Sequence, residues 1–458
     1  MPDEELIAEI NSLADKLLIK LQTLAWPAGE KYCYFNANQS VVDLGISMPK
    51  NFRGLRPGVG WASRAVNTLS DRINFDGFAN DSVGINDLLD SIGAFSVFGK
   101  AKSDALIAGC SFIAVLPTVT QPTNESPAKT TIKLLPFTAT EATGNIDQRT
   151  GLLDSGLAVL RWYQYDETNA NARGWSKVGL IPADYALFTK DFTAYFINQQ
   201  LAWITENKTK RPLLHVITHR QSADRPFGKS RISNTARRII DEVGRLKVRY
   251  EIAAEFYSTP QRYVNGLADG SIDGAKFEAA LGKIWTITKD EDGEKPEIGQ
   301  LAQMSINQFS DQKKDLARDF CAETALTLRN LGYETANPTS AESLSAMSDD
   351  LLLEAQACQT EFGREFREIA ISAQMALEGI ETVPSSLRDI EAAWKPVFQL
   401  DIGSAGDAAY KLIQAMPELA GTTTLYRMLG MNIREAEELA RKANGARPNN
   451  FMLAGDQR

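Results

Sequence analysis

Arg225-Pro-Phe-Gly-Lys-Ser-Arg231 runs into a long helical pattern over 234–256, and the rest of the chain is organised around this stretch. About fifty residues without clear periodicity follow, rich in Gly and in short β-type runs. A second helical pattern spans 305–331, a break covers 332–338, and a third and longer helix is predicted over 340–377. Two helices joined at one end by a compact insert and at the other by a loop, then a long return helix, suit a stalk with a tip. Such a stalk is most useful as one stave of a ring.

In 234–256 the residues Ile239, Ile240, Val243, Leu246, Tyr250, Ala253 and Ala254 form one apolar stripe, with Arg237, Arg238, Arg245 and Arg249 off it. In the second helix Phe309, Leu316, Ala317 and Phe320 make a comparable stripe, and Asp311, Asp315 and Asp319 recur every four residues. A hairpin of the two covers only one side of each helix, so neighbouring subunits are the expected cover for the rest. The third helix opens on a capping-box pattern, Thr339-Ser-Ala-Glu342, after Pro338. Its stripe runs through Leu344, Met347, Leu351, Ala355, Phe362, Phe366, Ile369 and Ala373. At about 1.5 Å per residue it would be roughly 50–55 Å long, with Gly363 marking a bend.

Towards the N-terminus, residues 1–25 read as an amphipathic helix on Leu6, Ile10, Leu13, Leu17, Leu21 and Leu24, ended at Trp26-Pro27 because proline lacks the needed amide. Further helices are predicted over 61–73 and 85–108, the latter broken near Gly93 or Gly99. Then the period changes: strands are predicted over 111–116, 131–135, 156–165, 185–189, 194–197 and 213–218. This is an α+β domain with a mainly antiparallel sheet, closing near residue 220. After a break at 382–386 the tail reads as short helices over 408–416, 422–429 and 433–444, then a loose polar end.

The 458 residues suffice for two or more domains. No run of eighteen apolar residues occurs and the first residues are acidic, so neither a membrane span nor a secretory signal is expected. Cys33, Cys110, Cys321 and Cys358 lie far apart and only two histidines occur, so no zinc site is expected and the thiols read as reduced and buried. A net charge of −9 argues against a general nucleic-acid binder. The charge is uneven: 225–262 holds nine bases against four acids, whereas 311–381 holds fourteen acids against six bases. Two solvated helix faces would explain this. The alternative is that Arg237, Arg238, Arg245 and Arg249 of one subunit meet Asp311, Asp315 and Asp319 of the next, fixing register.

One motif raises the question of nucleotide binding. Ala223-Asp-Arg-Pro-Phe-Gly-Lys-Ser230 fits the loose phosphate-loop expression between a strand and a helix. A phosphate cradle needs several free amides, yet Pro226 removes one, Phe227 is bulky and Asp224 adds negative charge. No other catalytic constellation stands out: His215 reads as a core residue, His219 as one that orients a turn, and paired acids as solvated faces. No catalytic residue, cofactor or metal is assigned.

The run 225–232 leading into a helix, Gln308-Phe-Ser-Asp311 opening the next, and Asn337-Pro-Thr-Ser-Ala-Glu342 starting a long Ala- and Glu-rich helix together resemble the portal proteins, or head-to-tail connectors, of long-tailed double-stranded DNA bacteriophages. Asp407-Ala-Ala-Tyr-Lys411 and Met428-Leu-Gly-Met-Asn432 look like that family's late helices. The resemblance covers most of the chain in order and rests on arrangement as much as identity.

It implies a subunit with an α/β wing (1–224), a first stem helix (225–256), a small α/β clip (257–304) and a second stem helix (305–331). A tunnel loop (332–339), a long kinked wing helix with a return strand (340–400) and a helical crown (401–458) would follow. Tyr333, Glu334, Thr335, Ala336 and Asn337 would face DNA. Arg262, Asp269, Lys289, Asp290, Glu291 and Asp292 would dock a terminase-type packaging motor and a head-completion adaptor. Further implied partners are identical subunits in a ring of about twelve, duplex DNA read without sequence specificity, and the major capsid and scaffolding proteins. The implied location is the virion's portal vertex, after synthesis in the host cytoplasm, with no membrane partner. Two other readings stay open: a P-loop ATPase acting on DNA through Ala223–Ser230, and a capsid or adaptor component without a channel.

Overall fold

The computed structural model describes residues 4–39, 57–120, 129–164, 180–258, 262–265, 297–300, 306–333, 349–397 and 402–445. They fall into two units: Met1–Gln39, Gly60–Arg237 and Cys321–Arg458 form the first, Ser40–Val59 and Arg238–Phe320 the second.

The first helix, α1 (Glu4–Phe35), runs straight through Pro27, against expectation. The reason is positional. Pro27 faces solvent, while the stripe Ile10, Ala14, Leu17, Leu21, Ala25 and Ala28 stays buried on both sides of it. A helix-interior proline costs about 3 kcal/mol. Full burial of Leu17 and Leu21 returns about 1.5–3 kcal/mol each, enough to keep the helix going.

Next come α2 (Trp61–Ser70), β1 (Phe75–Ala79), α3 (Ile85–Ser91) and α4 (Ala94–Ala108). The break between α3 and α4 falls at Gly93, whose φ is +66°, and not at Gly99. Two buried or half-buried lysines cap helix ends. Lys102 donates to Ser70 O (2.7 Å) and Ile73 O behind α2, and Lys31 donates to Ala108 O (2.7 Å) at the end of α4. Burial pushes the Lys102 ammonium down to about 8, an effect that nearby Asp71 partly opposes.

The strands then form two antiparallel sheets. β2 (Cys110–Thr120), β3 (Lys129–Thr138) and β9 (Leu214–Thr218) give the order β3-β2-β9. β4 (Ala142–Ile146), β5 (Leu153–Gln164), β6 (Leu180–Thr189), β7 (Phe192–Ile197) and β8 (Gln200–Glu206) form a five-stranded meander in sequence order. Helix α1 covers this meander: its stripe meets Leu157, Val159, Ile181, Tyr185, Leu187, Ala194 and Phe196 in one core. Strands β1, β4 and β8 were not expected from the sequence.

In the second unit, α5 (Asn234–Ser258) continues from the first, β10 (Arg262–Asn265) pairs antiparallel with β11 (Glu297–Gln300), and α6 (Asn307–Thr324) follows. The expected single helix over 305–331 is therefore wrong at its end. α6 stops at Thr324, Ala325 takes a left-handed φ of +51°, and a 3-10 turn at Leu328–Leu331 begins behind a Thr327/Asn330 capping box.

Back in the first unit stand α7 (Asp349–Glu378), β12 (Glu391–Trp394), α8 (Ile402–Ala415), α9 (Thr423–Met428) and α10 (Ile433–Gly445). The expected cap and start of the long helix at 339–348 lie outside the described residues. Gly363 marks close packing: a Cβ there would sit 3.0 Å from Ala392 Cβ and 3.4 Å from Trp394 Nε1. α7 packs on β2, β3, β9 and β12, and Phe366 stacks on Phe98 at 4.3 Å beside Phe75 and Trp394. β12 pairs antiparallel with β1. The last helix docks on this region, with Ile433 N donating to Asp76 Oδ2 (2.7 Å) and Arg434 to Asn86 O (2.6 Å). The mixed helix and strand architecture agrees with the α+β expectation. One thiol departs from it: Cys33 is exposed, whereas Cys110, Cys321 and Cys358 are buried.

Candidate functional site at the root of the helix pair

Where β9 ends, the basic turn is zipped back onto the chain. His219 N donates to Gly109 O (2.9 Å), Lys229 N donates to His219 O (2.7 Å), and His219 Nδ1 sits 2.7 Å from Lys229 O. Gly228 makes this close approach with φ +71°; a Cβ would lie 2.4 Å from His219 O and 2.6 Å from Gly109 O. Burial pushes the His219 imidazole down to about 4, although its bond to Lys229 works the other way. The ring is neutral at physiological pH and acts as a strut, as its place after the strand suggested.

This geometry bears on the phosphate-loop pattern. The amides of Arg225, Gly228, Lys229 and Arg231 donate to Ser222 O, Arg225 O, His219 O and Leu106 O, and the buried Ser230 hydroxyl donates to Ile107 O at 2.5 Å. A phosphate cradle needs those donors turned outward. Here they are turned inward.

The residue after that pattern does the connecting. Arg231 is buried, and each guanidinium nitrogen has its own partner: Nε donates to Ala65 O of α2 (2.8 Å), Nη2 to Thr324 O at the end of α6 (2.8 Å), and Nη1 pairs with Glu354 of α7. Glu354 also takes Arg220 Nη2 at 3.1 Å, and the amide of Arg220 donates to Glu361 Oε2 at 2.8 Å. Beside Ala65, Arg64 Nε holds Asn330 O (2.7 Å) in the turn after α6. Sequence reasoning missed Arg231, Glu354 and Arg220, because an arginine in a basic turn and a glutamate in a helix both read as surface.

Among the expected subunit-contact residues, Arg238, Arg249, Asp311, Asp315 and Asp319 are exposed and Arg245 is half-buried. Asp315 pairs with Arg318 at 2.5 Å. Arg237 departs from the group: its guanidinium binds Glu30 and Asn234 and lies over the Tyr34 ring within its own chain. Of the expected loop residues, Tyr333 follows Gly332, whose φ is +85°, and burial raises the pKa of its phenol. Glu334, Thr335, Ala336 and Asn337 lie outside the described residues. So do Asp269, Lys289, Asp290, Glu291 and Asp292, while Arg262 opens β10. No cluster of metal-ligating side chains occurs among the described residues, and no described helix is long and apolar enough to cross a membrane.

The arrangement is a buried polar joint that anchors three helices. Comparison with known proteins gives it a family context. The chain is 22% identical over 463 aligned residues to the portal protein of Mycobacterium phage D29, covering 96% of this chain and 90% of the relative. It is 24% identical over 221 residues to the portal protein of Mycobacterium phage L5, covering 47% of this chain and 44% of that relative. No family model matches. A chain from the virion of a native gene transfer agent particle aligns with 88% of this chain and 93% of its own length, at a TM-score of 0.41 and 11% identity, too loosely to carry argument. The two relatives support a phage portal protein.

Proposed function

We propose that this chain is one subunit of a ring, of about twelve copies, set at one capsid vertex of a phage virion, through which the genome enters and leaves. In this reading α5 and α6, the helices of the segments 225–256 and 305–331, are stem helices around the channel, 257–304 is the clip that meets the motor and adaptor, and 332–339 is the tunnel loop. Residues 1–224 and 340–400 make the wing, and 401–458 the crown. The observation that carries it is similarity to a portal protein along 96% of the chain and 90% of that relative.

Charge supports the channel role. A channel that lets duplex DNA slide must not grip phosphates, since each basic contact adds salt-dependent affinity. Gly332–Pro338 holds one acid, Glu334, and no base, and twelve copies at −9 each place roughly a hundred negative charges on the assembly. The exposed Arg238 and Arg249 and the exposed Asp311, Asp315 and Asp319 suit complementary contacts between adjacent subunits. The inward-turned donors of 223–230 favour a non-enzymatic subunit served by a separate ATP-driven motor. Native mass spectrometry and negative-stain microscopy of the purified protein test the reading. A discrete ring with an axial opening supports it; an assembly without an opening favours the channel-less alternative; ATP turnover lost in Lys229→Ala favours the ATPase.

A further inference from the structure

We infer that Arg231 is a positioning residue that couples the C-terminal end of α6 to the opening turns of α7 through one buried guanidinium. The coupling is a property of the single chain.

Three observations carry it. First, the acceptors of Arg231 come from three stretches far apart in sequence: Ala65 O, Thr324 O and Glu354. A guanidinium serves three directions with a rigid planar fork; an ammonium on a flexible stem cannot fix them relative to each other. Second, the side chains of Arg231 and Glu354 are 3% and 9% exposed. At that depth separating the two is costly, because each charge would lose its close partner without gaining full solvation. Glu354 is gripped from two sides, since Arg220 reaches its other oxygen.

Third, two strained backbone positions border this place. Arg220 and Ala325, neither of them glycine, hold φ of +53° and +51°, and both border the same cavity of about 230 Å³, which Arg231 and Glu354 also line. Such conformations persist only where the surroundings over-determine them. The surroundings here are visible. The carbonyl just before Ala325 is held by Arg231, and the amide of Arg220 is held by Glu361, two turns beyond Glu354. A shift of Thr324 therefore moves the guanidinium, and the guanidinium moves Glu354.

Hydrogen–deuterium exchange of the full chain tests this through Glu354→Gln, a change in α7 at a residue with no hydrogen bond or ion pair to 325–333 among the described contacts. The expected result is exchange at least 3-fold faster in both 325–333 and 349–356, with α1 unchanged. Arg231→Lys is expected to keep α1 protected yet give the same two-segment response, because it preserves charge and loses the fork. Acceleration confined to 349–361 in Glu354→Gln, or full protection of both segments in Arg231→Lys, would overturn the coupling. Ring yield measured on the same samples separates the outcomes: absence of rings in the unsubstituted protein sinks the portal reading and leaves the exchange result standing.

Discussion

Reversing two charges on α5, Arg245→Glu with Arg249→Glu, separates assembly from folding. Arg249 is exposed and Arg245 half-buried, and neither has an ion-pair or hydrogen-bond partner among the described residues. Surface changes of this kind usually alter stability by no more than about 0.5 kcal/mol. Arg249→Glu alone is the cleaner arm, because Arg245 is partly covered. Between subunits the arithmetic differs. An exposed ion pair contributes about 0.2–1 kcal/mol, and reversal replaces attraction by repulsion of similar size. Two reversed sites thus weaken each contact by about 1–4 kcal/mol, or from about 5-fold to several hundredfold. Light scattering after size exclusion at low and high salt reads the loss, which salt should blunt. Adding Asp315→Lys should restore part of the yield, less the ~0.3 kcal/mol of its own pair with Arg318. Arg237→Glu is the contrasting control: it breaks bonds to Glu30 and Asn234 within the chain, so it should lower the melting temperature. Unchanged ring yield in the double reversal, or a melting loss as large as that of Arg237→Glu, would rule out an intersubunit role for these charges.

Three further outcomes are expected. Pro27→Ala removes an exposed helix-interior proline and should raise the melting temperature, by up to about 3 kcal/mol of stability; a fall would mean that the packing of Ala25 and Ala28 needs the proline. Gly228→Ala should give little soluble protein, since its Cβ would meet two carbonyl oxygens at 2.4 and 2.6 Å at a φ of +71°. Lys102 titrates near 8 folded and near 10.4 unfolded, so between these values the unfolded chain binds more protons and this lysine's contribution to stability rises with pH. The unfolding free energy of the parent minus that of Lys102→Met should therefore rise from pH 8 to 10; a flat difference would show that the ammonium is not desolvated.

Much of the fold was legible because apolar periodicity reports burial directly. α2, α5, α9 and α10 fell within about three residues of their expected bounds, α8 begins six residues before the expected 408, and the strands at 111–116, 131–135 and 185–189 lie inside β2, β3 and β6. The failures have physical causes. Pro27 reads as a stop only if its side of α1 must be packed, and that side faces solvent. β4 (Ala-Thr-Gly-Asn-Ile) carries no alternation, because pairing and close packing define it. Nothing local announces a left-handed Ala325; the Thr327/Asn330 pair that opens the next turn is visible only afterwards. The joint was least legible of all, since Arg231, Ala65, Thr324 and Glu354 meet only in the folded chain.

An image of the purified, unsubstituted protein along the axis of its assembly, with the mass determined in parallel, puts the ring itself to the test. A closed ring of about twelve subunits around a hole wide enough for duplex DNA is expected. A stable monomer under every condition, or a particle of many copies with a filled centre, would leave the portal reading without a channel.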